Sequence, residues 1–135
     1  MKKSTILVVE DEKDVRKILV EIVTMLGFDY DMAADGIEAW NKIQNYQYEL
    51  IITDLGLPFM DGMELVSRIR NNGINTPAIL IAGIDMKNQK RDIGRFADCA
   101  YIEKPFTLDD IKMKINEFLI KDKKLNKCPR SDCRR

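Results

Sequence analysis

Four short runs, "TILVV" (5–9), "ELIIT" (49–53), "AILIA" (78–82) and the shorter "AYI" (100–102), are rich in Ile, Leu and Val with no polar residue every second place. A strand that is apolar on both faces must be covered on both faces, which is the condition of a parallel sheet enclosed by helices. A weaker run, "FDYDMA" at 28–33, makes a fifth strand.

Between these runs the apolar period lengthens to that of a helix. Val15, Ile18, Leu19, Ile22, Val23 and Leu26 recur at i, i+3, i+4 and i+7 and stop at Gly27, a natural C-terminal cap, so residues 13–26 are expected to be helical and to bury that stripe. Asp35-Gly36 opens a second helix around Ile37, Trp40 and Ile43, and Met63, Leu65, Val66 and Ile69 mark a third. A fourth, near 86–96, is mostly polar; the fifth starts at Thr107, whose "TLDD" has the form of a capping box with Asp110 for the usual Glu, and buries Leu108, Ile111, Ile115, Phe118 and Leu119. Strand and helix alternate five times, and right-handed crossovers then put helices on both faces: a doubly wound, three-layer α/β sandwich.

At 135 residues and 45% hydrophobic the chain is expected to form one domain with a sizeable core. No apolar run approaches the ~20 residues of a membrane span, and "MKKSTILVVEDE" lacks a signal peptide's apolar region, so the expected location is cytoplasmic. Residues 121–135 hold seven Lys or Arg against two Asp, net +5, while residues 1–120 carry 15 basic against 20 acidic groups, net −5. A basic tail over 122–135, expected to be unordered, thus follows an acidic body at 1–121. Cys99, Cys128 and Cys133 are an odd set, the last two spaced more loosely than usual zinc pairs, and the chain contains no His. Ser-His and Cys-His catalysis are therefore excluded.

In a doubly wound sheet ligands bind beyond the carboxyl ends of the strands. There the chain places Glu10, Asp11 and Glu12 after the first strand, Asp54 after the third, Ala82 and Gly83 after the fourth and Lys104-Pro105 after the fifth. Two carboxylates at ~4 Å and an effective dielectric of ~20 repel by roughly 4 kcal/mol, so a proton or a cation must enter. Mg2+, which takes one or two carboxylates, water and a substrate phosphate, fits two acidic loops faced by a lysine.

At these residues the chain resembles the receiver domains of two-component response regulators, over residues 4 to about 121. The resemblance rests on "ILVVEDE", "ADGIEAW", "IITDLGLPFMDG" and "YIEKPF", in the family's order and near its spacing. It implies a flavodoxin-like fold with strand order 2-1-3-4-5. It also implies that Asp54 is the phosphoacceptor, that Asp11, Asp54 and the backbone carbonyl of Gly56 ligate Mg2+, and that Glu10 reaches the ion through water. Lys104 would bind a phosphoryl oxygen beside a cis peptide at Pro105, Pro58 and Asp61-Gly62 would shape the loop, and Tyr101 matches the family's switch aromatic. The implied partners are a histidine kinase or a histidine phosphotransfer protein upstream and an unidentified protein downstream. The fifteen or so residues after the receiver are too few for a usual DNA-binding domain, so the expectation is either a stand-alone receiver acting through protein contacts or a piece of a longer chain. A receiver is not an enzyme on external substrates; it catalyses only its own phosphorylation and dephosphorylation.

Four residues depart from the family pattern. Ala82 stands where a Thr or Ser hydroxyl normally meets the phosphoryl group, and Thr53 is no substitute because it points to the opposite face. Glu10 replaces the commoner Asp, and Gly56 and Ile84 flank the phosphoryl position without a polar group to orient water. Ala82 leaves open a second reading, a pseudo-receiver that binds its partner constitutively. An aspartate-nucleophile phosphohydrolase is the third, although such enzymes place a second acid where Gly56 stands.

Overall fold

The structure, a computed structural model, describes residues 5–83 and 90–120. Five parallel strands, β1 (Thr5–Val9), β2 (Asp29–Ala33), β3 (Leu50–Asp54), β4 (Ala78–Ala82) and β5 (Cys99–Glu103), lie in the order β2-β1-β3-β4-β5. The helices are α1 (Lys13–Met25), α2 (Gly36–Asn45), α3 (Gly62–Asn71), α4 (Lys90–Ile93) and α5 (Leu108–Ile115), the last running into a π-helical turn at Asn116–Ile120. The doubly wound sandwich expected from the sequence is therefore the fold. The short α4 falls inside the expected 86–96; residues 84–89, with Ile84, and the basic tail from 121 lie outside the described residues. Among the described residues no helix is long and apolar enough to cross a membrane.

Local chemistry starts and stops these helices. Asp35 and Asp61 each accept a backbone N–H from the residue three further on, at 2.8 Å, and so cap α2 and α3. Thr107 and Asp110 bond each other's backbone at 3.1 and 2.9 Å, a complete capping box on α5. Gly27, at φ 91, ends α1 in the left-handed conformation.

Side chains of the central strands divide between two layers. Ile6, Val8, Ile52 and Ile79 pack under α1 and α5, whereas Leu7, Val9, Ile51 and Leu80 pack under α2, α3 and α4. Three side chains expected in the core are outside it: Ile18, Ile37 and Leu108 are 48%, 47% and 44% exposed. Periodicity locates the apolar stripe but not its usable width, and the buried residues of α2 are Gly36, Ala39 and the expected Ile43. Ile18 and Leu108, with Val15, Met25 and Phe106, border a groove of about 820 Å3 between α1 and the start of α5.

Gly36 joins α2 to the loop between β3 and α3. A methyl group there would overlap the Met60 carbonyl oxygen and come within 2.8 Å of the Met60 Cβ. Gly36→Ala is expected to destabilise the domain by about 2 to 3 kcal/mol, since a closely packed contact with backbone cannot yield cheaply. Urea unfolding should show a lower midpoint at unchanged slope.

Candidate functional site

The carboxyl edge of the sheet gathers three acids and one lysine. Asp54 is the last residue of β3, and its carboxylate is held from two sides. Its Oδ1 accepts the Gly56 N–H at 3.0 Å and its Oδ2 accepts the Lys104 ammonium at 2.9 Å. The residue is only 6% exposed, so the lysine is its countercharge in a site from which most water is displaced. Lys104 is placed by its own backbone, whose N–H donates to the Ala82 carbonyl at 2.7 Å, and the Lys104–Pro105 peptide is cis. Burial pulls the ammonium's pKa down, but the bond to Asp54 and the charges of Asp54, Glu10 and Glu12 outweigh it and hold the pKa above its ordinary value.

Glu10 follows β1 and is fully buried. Its backbone is fixed twice, by its N–H to the Ala33 carbonyl at 3.0 Å and by the Arg16 guanidinium on its carbonyl at 2.8 Å. One carboxylate oxygen, Oε2, accepts the Glu12 N–H at 3.1 Å, whereas the other, Oε1, is buried without a hydrogen-bond partner. Carboxylate oxygens of Glu10, Asp11 and Asp54 lie within 4.8 Å of one another, with Asp11 the exposed member. Burial first, and then the negative charge of Asp54, push the Glu10 pKa up to about 8. An orphaned acceptor beside two further carboxylates has the donor set of a hard divalent cation, so these residues fit Mg2+.

The remaining residues of interest lie around this cluster. Gly62 donates its N–H to the Leu55 carbonyl at 2.9 Å, and a Cβ on it would come 2.6 Å from the Asp54 carbonyl oxygen, so this loop needs glycine to close. Ala82 is fully buried at the end of β4. Thr53 supplies no hydroxyl in its place, because Thr53 Oγ1 donates to the Asp54 carbonyl at 3.0 Å. Tyr101 is half-buried and packs on the core layer shared with α2, α3 and α4. Sequence reasoning did not find Arg16: a side chain reaching a backbone carbonyl six residues earlier carries no motif.

Comparison with known proteins gives a consistent answer. The family model described as "Response regulator receiver domain" matches residues 6–116. The sensor protein EvgS of Escherichia coli (strain K12) is 32% identical over 118 residues, which cover 85% of this chain and 10% of EvgS. The response regulator MprA of Mycobacterium sp. (strain KMS) is 29% identical over 115 residues, 84% of this chain and 50% of MprA. The chain thus spans about a tenth and a half, respectively, of these relatives. Among solved structures, the receiver domain of the Francisella response regulator 1452 superposes with a TM-score of 0.77 at 29% identity, covering 85% of this chain and 95% of that one. The response regulator TrrA of Thermotoga maritima, solved in complex with Mg2+ and BeF, gives a TM-score of 0.77 at 31% identity, covering 86% and 99%.

Proposed function

Because the chain belongs to the response regulator receiver domain family, we propose that it accepts a phosphoryl group on Asp54 from a phosphohistidine of a histidine kinase or histidine phosphotransfer protein. One observation carries this reading: an almost buried strand-end carboxylate with a lysine 2.9 Å from one of its oxygens and two more acids at its side. An Asp54 carboxylate oxygen forms the new O–P bond while the donor's P–N bond breaks and its electron pair stays on the imidazole nitrogen. Lys104 is placed to move from carboxylate to phosphoryl oxygen, since the charge it neutralises travels there. Gly56 keeps Asp54 pointed into the site through its N–H. Asp11, Asp54 and the Gly56 carbonyl would hold Mg2+ directly and Glu10 through water; when bound, the ion neutralises phosphoryl oxygens among acids that would otherwise repel them. The receiver, residues 1–121, catalyses its own phosphorylation and dephosphorylation, in the cytoplasm, and signals through protein contacts.

The test is incubation with Mg2+ and a small acyl phosphate, followed by intact-mass analysis. Gain of one hydroxylamine-labile phosphoryl group is expected, and a protein that stays unlabelled refutes the acceptor.

Ala82 favours a second reading of the output. With a methyl group in the core where a hydroxyl would bond the phosphoryl oxygen, the coupling of phosphorylation to conformation lacks a contact worth roughly 1.5 to 3 kcal/mol. Partner affinity would then barely depend on the phosphoryl group. Ala82→Thr is expected to restore a phosphorylation-dependent change of roughly tenfold or more in partner affinity, read by titration with and without the acyl phosphate. An unchanged response in that variant would place the switch elsewhere.

A further inference from the structure

Phe59 sits at the apex of the loop between β3 and α3, and its environment is unlike that of its neighbours. Leu57 and Met60 are 8% and 4% exposed, whereas Phe59 is 81% exposed and is the most exposed large apolar side chain among the described residues. Its φ is 69, the left-handed region that bulky residues avoid. The ring belongs to neither core layer, so no burial within the described fold offsets that strain.

The position of the apex matters more than the strain. Both stems of the loop close beside the acceptor, through the Gly62 N–H on the Leu55 carbonyl at 2.9 Å and the tight approach of Gly62 to the Asp54 carbonyl. Phe59 is three residues from Gly62, hence within about 11 Å of that stem. A protein that brings phosphorus into bonding contact with Asp54 covers roughly 800 Å2 of this surface, a disc of about 16 Å radius that includes the apex. A small acyl phosphate fills the cleft alone and leaves the apex in water. Given the phosphohistidine donor proposed above, on which this inference rests, we infer that Phe59 is an apolar anchor for the donor protein, burying its ring in an aliphatic patch beside the donor's phosphohistidine.

Two variants separate this role from a structural one. Phe59→Asn removes the ring but keeps a residue that tolerates positive φ, and Phe59→Tyr keeps the ring. The donors are acetyl phosphate and a panel of purified histidine kinases and phosphotransfer domains labelled on histidine, the fastest with wild type being carried forward. Phe59→Asn is expected to slow transfer from the protein donor at least about tenfold, with acetyl phosphate labelling unchanged and the unfolding midpoint not lowered, while Phe59→Tyr stays within about threefold of wild type. Equal transfer to wild type and Phe59→Asn overturns the inference, as does an equal loss with acetyl phosphate or a change confined to self-association. If wild type labels from acetyl phosphate but from no protein of the panel, the anchor falls and the acceptor stands. If wild type does not label at all, both fall.

Discussion

Asp54→Asn is expected to lower acyl phosphate formation by at least about a thousandfold, to below detection by mass, in a protein that remains folded. A neutral amide oxygen is a poor nucleophile, and no neighbouring group can ionise it. Stability should move little, within about 1 kcal/mol, because two effects oppose. The substitution removes the 2.9 Å ion pair with Lys104, whose side chain is already 31% exposed and can turn to water. It also removes the negative charge facing the buried Glu10. The Gly56 N–H keeps an acceptor in the asparagine Oδ1, so the loop should hold. Undiminished labelling would move the acceptor to another acid, with the exposed Asp11 the first to replace next.

How much of this was readable beforehand follows from where each constraint resides. The strands were legible because a sheet buried on both faces admits only apolar residues over whole runs, and β4 falls at 78–82 as its sequence implies. The caps at Asp35 and Thr107 were legible because they satisfy local backbone groups with local side chains. Ile18, Ile37 and Leu108 were misplaced because burial depends on how far the sheet and the neighbouring helix reach beneath each turn, a tertiary quantity. The short α4 is polar and was only loosely placed by its sequence.

The candidate site divides along the same line. Glu10, Asp54 and Lys104 stand at strand ends, so their convergence follows once the strands are parallel and ordered. The clasp of Arg16 on the Glu10 carbonyl and the backbone of Phe59 have no such trace. One is a side chain bonded to main chain across a helix start, and the other is a φ value against the propensity of its own residue. Gly36 and Gly62 could be read as turn residues, but their actual constraint is the close approach of Met60 and of Asp54, which only the packed structure supplies.

The strongest pH dependence should come from Glu10. Its pKa rises from 4.5 to about 8 on folding, so between those values the metal-free folded domain binds a proton that the unfolded chain does not. Stability is then fully expressed at low pH and falls as pH rises through the window, at up to about 1.4 kcal/mol per pH unit and a few kcal/mol in total. Chelator-treated protein should thus unfold at lower urea at pH 8.5 than at pH 6, a direction opposite to that of an acid stabilised in its charged form. Mg2+, reached by Glu10 through water, favours the charged carboxylate over the protonated one, so it should raise the unfolding midpoint more at pH 8.5 than at pH 6 and flatten the profile. Glu10→Gln carries no titrating proton and should show little of the slope with or without Mg2+. A chelated wild type whose midpoint is level from pH 6 to 8.5, or a slope retained in Glu10→Gln, would assign the orphaned Oε1 another role.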